Sequence, residues 1–276
     1  MKSPAWLTAA LTVAVAASTA AATADRGPQP EEWLIERFEQ SWQIDEGAAI
    51  SISNPWGDLA VRTHQASEVY LLGHLQRHRD DPRPLDLQVE EIAASPGSPA
   101  TLALTVELAG STTEPPPADW AKRRIDVTVF VPRAANLRFE TGDGQLEVRG
   151  TAGHVQATTR SGTIKLRVGG SVDVHSQHGR VLAQFTRTDW RQPIEIETKT
   201  SEIRVEMPAG GRATVAIETR GEITSDFSTT IEHHRGSLLK TARLTVGNGG
   251  VAVRLSSQQG PIKILGSLVP SEEDGG

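Results

Sequence analysis

The side chains best suited to chemistry here are carboxylates, histidines and tryptophans, and their spacing decides what each could do. Glycoside hydrolysis needs two carboxyl groups about 5–10 Å apart in contrasting environments. Asp143, Asp173, Asp189 and Asp226 fall at different points of the surrounding apolar pattern, so they make no column. His74 and His78 share a face if 69–78 is a strand, but four residues separate them by roughly 13 Å. One metal, with ligands about 2 Å away, could not take both. His175 and His178 flank a turn with His154 one repeat earlier, and the sequence offers no carboxylates at partner positions; His233 and His234 diverge on a strand. No H-E-x-x-H, G-x-S-x-G, P-loop or EF-hand pattern occurs, Ser161-Gly162 reads as a turn, and G-N-G-G at 247–250 has no helix after it. The expectation is a non-enzyme with no cofactor and no metal. Binding would want exposed aromatic platforms, for which Trp56, Trp120 and Trp190 are the candidates; each could instead plug a corner of the fold.

The elements that must position these residues come from a repeat. The stretches 139–148, 157–166, 174–183, 196–205 and 255–264 share one frame: apolar, x, Ser/Thr, x, x, Gly, x, apolar, x, usually apolar; I-E-T-R-G-E-I at 217–223 fits with one deletion. The marker falls at Gly144, Gly162, Gly179, Ser201, Gly221 and Gly260, with intervals of 18, 17, 22, 20 and 39. A recurrence near twenty residues signals a stacked repeat. Alternation within each copy marks a strand with one buried face, so Leu146 and Val148, Ile164 and Leu166, and Ile203 and Val205 point inward. The Ser/Thr column (Thr141, Thr159, Ser176, Thr198, Thr219, Ser257) precedes the corner, where a hydroxyl can bond turn backbone. Glycine at the marker permits a positive φ. A second corner follows half a rung later, at 150–153, 169–170, 208–211 and 247–250. Two strands and two corners per repeat predict an all-β, single-stranded β-solenoid-like stack of about twenty-residue rungs; a β-sandwich of stacked hairpins is the alternative. Outward, Glu147, Lys165, Leu182 and Arg204 occupy one register, and Arg180 sits one rung before Glu202.

In chain order, residues 1–24 read as a signal peptide, with Lys2, an apolar stretch from Trp6 to Ala17 and the small-x-small site Ala22-Thr23-Ala24. Cleavage after Ala24 would make the protein periplasmic or secreted, with no membrane span remaining. Residues 25–132 form an N-terminal β region with loop excursions at 80–84 and 112–120; its segment 50–61 repeats the frame with Asn54 at the Ser/Thr place and Gly57 at the marker. The repeat region follows at 133–267, with 226–246 supplying one extra rung's worth of chain, and 268–276 is a polar tail. Aromatics make up 4% of the chain, which suits thin β-layers better than a large globular core. Cysteine is absent, which excludes disulfide and thiolate chemistry, and the net charge of −6 gives no pull toward nucleic acid or anionic lipid.

The order of S-I-S-N-P-W-G-D-L-A-V, V-T-V-F-V-P-R-A-A-N-L-R-F-E-T-G-D-G, S-D-F near 225–227 and G-N-G-G-V-A-V-R-L-S-S-Q-Q-G-P-I-K-I resembles the putative-adhesin family of exported bacterial β-strand-repeat proteins. The likeness runs from about residue 36 to 266. It implies a solenoid-like β fold and carries no catalytic residues to transfer. The expected function is that of an exported, non-enzymatic envelope protein, an adhesin-like contact or binding module whose partner is an envelope protein or a glycan. A glycan-active enzyme and a purely structural or stress-response component are the alternatives.

Overall fold

A computed structural model describes residues 33–44, 47–55, 57–79, 81, 85–93, 100–108 and 122–267. The proposed signal peptide, the polar tail, most of 80–84 and all of 112–120 lie outside the described residues. The fold is all-β, and Trp33–Gly276 clusters as one compact unit.

The chain runs through β1 (Trp33–Gln43), β2 (Ala49–Asn54), β3 (Leu59–His64), β4 (Glu68–His78), β5 (Leu85–Ile92), β6 (Thr101–Leu108) and β7 (Arg123–Pro132). The repeats then supply β8 (Asn136–Thr141), β9 (Leu146–Arg149), β10 (Val155–Thr159), β11 (Ile164–Val168), β12 (Val172–Ser176), β13 (Val181–Phe185), β14 (Ile194–Thr198) and β15 (Ile203–Pro208). β16 (Ala213–Thr219), β17 (Ile223–Ser225), β18 (Thr230–His233), β19 (Lys240–Val246), β20 (Val251–Ser257) and β21 (Ile262–Ser267) complete it. Sheet A has the order β1-β4-β7-β3-β9-β11-β13-β15-β21-β17, and sheet B the order β18-β19-β16-β20-β14-β12-β10-β8-β2-β6-β5.

Each repeat contributes one strand to each sheet. The corner between β8 and β9 therefore passes the chain from sheet B to sheet A, and successive repeats pair in parallel. That is a coil rather than a hairpin. The alternating pattern fixes the register. Leu59, Leu146, Ile164, Val181, Ile203 and Ile262 stand opposite one another along sheet A and are all buried. Each such side chain contributes about 1.5–3 kcal/mol by leaving water. A one-residue slip would turn the whole ladder to solvent.

Rung order departs from chain order at both ends. The rung β20/β21 lies between β14/β15 and β16/β17, so the last repeat is inserted inside the stack. At the other end β2/β3 lies between β6/β7 and β8/β9, and pairing runs without a break across residue 132. Residues 226–246, read above as an extra rung, instead contain β18 and β19, which pair antiparallel beyond β16 and cap sheet B. The interval of 39 arises because the chain leaves the stack, builds this cap and returns between two earlier rungs. At the opposite end β4 pairs antiparallel to β7 and β1 antiparallel to β4, capping sheet A, and β5 caps sheet B beside β6.

The marker glycines also need a different reason from the one the sequence suggested. None of them has positive φ; that conformation belongs to Gly47, Gly150, Gly236, Gly247 and Gly249. A Cβ on Gly144, Gly162 or Gly179 would come closer than 3.0 Å to the carbonyl oxygen of the preceding marker, at Gly57, Gly144 and Gly162 respectively. The corners stack so tightly that no side chain fits between them. Five hydroxyls of the Ser/Thr column bond corner backbone as expected, while that of Thr141, in the first copy, is buried without a hydrogen-bond partner among the described residues. Thr219 Oγ1 donates to Gly260 O at 2.7 Å and accepts from Gly221 N at 2.8 Å. Thr159 donates to Gly142 O at 2.9 Å, and Gly260 N donates to Ser257 Oγ at 2.8 Å. Asn54 takes the same role, donating from Nδ2 to Ile125 O at 2.9 Å.

Candidate functional site

Trp190 lies in the long corner between β13 and β14. Its ring is buried and meets Phe185 edge-on at a centroid distance of 4.8 Å, which makes it a plug at the end of that rung. The extra residues that hold it account for the interval of 22 between Gly179 and Ser201. Trp56 and Trp120 lie outside the described residues.

The histidines have partners that spacing alone did not reveal. His175 Nε2 stands 3.0 Å from Asp173 Oδ1 on its own strand, and its Nδ1 3.4 Å from Glu197 Oε2 on the next. Carboxylates do occupy its partner positions, contrary to the sequence reading, because residues two apart share a face and β14 pairs in register with β12. The three lie open on the outer face of sheet B. His154 Nδ1 is 2.8 Å from Ser171 Oγ; burial pushes this imidazole below its ordinary value, against the pull of the Asp173 charge and of the Ser171 backbone. Among the described residues no group of three or more such side chains is placed to hold a metal ion.

Among the described residues the outer face of each sheet carries a groove. The larger, about 480 Å³, lies on sheet B near β18 and β19, where Glu218 and Glu232 stand among Arg243 and Arg254. Its charges offset one another. The second, about 360 Å³, crosses the middle of sheet A between Glu147, Arg149, Lys165, Arg167, Arg204 and Glu206, with Leu182 in its floor. Four cations face two anions there, on a chain whose net charge is −6.

Register extends one edge of this second groove, at Arg149 and Arg167, into a longer line of side chains. Tyr70, Phe130, Arg62, Arg149 and Arg167 are consecutive cross-strand neighbours on β4, β7, β3, β9 and β11. Tyr70 and Phe130 are half-buried, with ring centroids 5.9 Å apart. Glu147 takes both Arg62, at 2.9 Å, and Arg149. Arg204 turns to Glu206 at 2.7 Å. The exposed side chains of Lys165 and Arg167 have no carboxylate within 4.0 Å among the described residues. Arg149 stands directly opposite Arg167, a like-charge pair in which Glu147 offsets only Arg149. The neighbouring ladder also sets Arg204 opposite Lys263, but there each cation has a carboxylate, Glu206 at 2.7 Å for Arg204 and Glu202 at 3.0 Å for Lys263.

None of the three candidate tryptophans belongs to this line. Phe130 sits at an outward parity in V-T-V-F-V, an aromatic among polar positions, and that was the signal available. Its alignment with three arginines depended on the order of β7, β3 and β9, which chain order does not reveal.

No family model matches the sequence, and no curated protein matches it. Two solved structures are similar. One, described as a "putative cell adhesion protein" from Clostridium sporogenes ATCC 15579, is 11% identical with a TM-score of 0.43, over 84% of this chain and 100% of that one. The other, a "putative adhesin" from Bacteroides fragilis NCTC 9343, is 10% identical with a TM-score of 0.29, over 83% of this chain and 97% of that one.

Proposed function

We propose that this chain is an exported, non-catalytic contact module of the cell envelope, adhesin-like in action, with its recognition surface on the outer face of sheet A. One observation carries the reading: an aromatic pair and three arginines share one register across the outer face of sheet A, and Arg167 and the adjacent Lys165 have no carboxylate within 4.0 Å among the described residues. A recognition surface explains why Arg167 stands beside Arg149 without a carboxylate of its own among the described residues, while Glu147 holds Arg62 and Arg149. Export rests on the leader at 1–24.

The test uses immobilised mature protein and envelope fragments from the native host. Arg149→Glu with Arg167→Glu should abolish capture, while Arg138→Glu on sheet B should leave it intact. Equal capture by all three proteins would refute this face. Release of new reducing ends from the fragments would replace the contact reading with a glycan-active enzyme. Mass spectrometry of the native protein should find Asp25 at its N-terminus; retention of Met1 would refute export.

A further inference from the structure

The line of groups across sheet A also restricts the chemistry of what could lie along it. From Tyr70 to Arg167 it makes four cross-strand steps. At about 4.8 Å per step the line spans roughly 19 Å. Its first two members are rings half-exposed to solvent, and its last three are guanidinium groups. Beyond Arg167 the same register continues into Gln184 and Glu206, so the basic run stops there. Lys165 flanks the end of the run, two residues from Arg167 on the same strand.

We propose that this line is the binding site for a linear, carboxylate-bearing polysaccharide, laid across the strands with its sugar rings on Tyr70 and Phe130 and its carboxylates on Arg149, Arg167 and Lys165. The proposal rests on the contact reading given above and names its ligand. Three features select this class. The step between strands is close to the length of one pyranose unit, so successive sugars can meet successive strands in phase. Same-side groups of an extended peptide recur every two residues, roughly 6.7 Å, and fall out of step with the strands. Aromatic faces stack on sugar rings, while guanidinium groups take carboxylates in paired hydrogen bonds.

Binding of graded-length oligogalacturonates to the mature protein, by calorimetry at low and high salt, tests the assignment. Affinity should rise with length until the oligomer spans the line, and then level off. Methyl-esterified oligomers, and the Arg149→Ala, Arg167→Ala variant with acidic oligomers, should each bind about tenfold more weakly or worse, as expected for lost charge-assisted contacts. Both arginines are exposed, and an unchanged melting curve will verify the fold of the variant. Poly-glutamate binding as tightly as the acidic oligomers would overturn the proposal in favour of an acidic protein. Oligothymidylate binding as tightly would overturn it in favour of nucleic acid, and equal binding of the esterified oligomers, or no binding at all, would also overturn it. In each of those cases loss of envelope capture by the charge-reversed variant would leave the contact reading standing. Acidic-oligomer binding that survives Arg149→Ala with Arg167→Ala would overturn this site.

Discussion

At Gly162 a single methyl group would strike the carbonyl oxygen of Gly144 in the rung below. Gly162→Ala should therefore cost about 1–3 kcal/mol through overpacking. Gly210→Ala meets nothing within 4 Å and should stay within about 0.5 kcal/mol of the parent. Urea melts of the two variants separate a glycine needed for stacking from one merely placed in a turn. Asp81 offers a second single-residue test. It holds Arg123 by two hydrogen bonds of 2.5 and 2.6 Å, with both side chains essentially dry. Asp81→Ala should cost about 3–5 kcal/mol, because the arginine would remain buried without this carboxylate. His154 gives a pH dependence. Its folded value lies below the ordinary 6.5, so the fold favours the neutral ring. The resulting stability is complete above 6.5 and is lost as pH falls through the lower folded value. Replacing it with Gln should flatten the stability profile on the acid side of 6.5, as read by melts across pH.

Among the elements, the alternation of each strand sets which substitutions the fold feels. Ile164 is fully buried on β11, and its neighbour Lys165 faces solvent. Ile164→Ala should cost about 2–5 kcal/mol, while Lys165→Ala should change stability by less than about 0.5 kcal/mol. Comparable losses in denaturant melts would refute the register. This level was readable from the sequence, because period-2 alternation is local and each inward ladder repeats it. The register of Glu147, Lys165, Leu182 and Arg204 emerged the same way and matches the pairing found. The reason for the glycines was not readable. Positive φ and close approach both select glycine, and only the stacked corners distinguish them. The sheet A line was hidden for a related cause: Phe130, Arg62 and Arg149 are distant in sequence and become neighbours only because β3 lies between β7 and β9.

For the whole molecule, the inserted rungs at both ends decide how its stability is distributed. A repeat stack usually frays from its terminal units, since those have one neighbour each. Here β20 and β21 are hydrogen-bonded on both sides despite coming last among the described strands. Their amides should exchange with the slowest class in native-state hydrogen exchange, while those of β18, exposed along its length, should exchange by local opening. Fast exchange in Val253, Leu255, Ile262 and Ile264 would contradict the strand order. The same insertion governs the response to mechanical load. Tension drawn along β21 from Ser267 acts parallel to two flanking strands at once, so its hydrogen bonds bear the force together in shear. An outermost strand could peel away one bond at a time. The N-terminal rung β2/β3 is gripped in the same manner, but load from that side first meets β1, the outermost strand of sheet A, so the clamp engages there only after β1 has peeled.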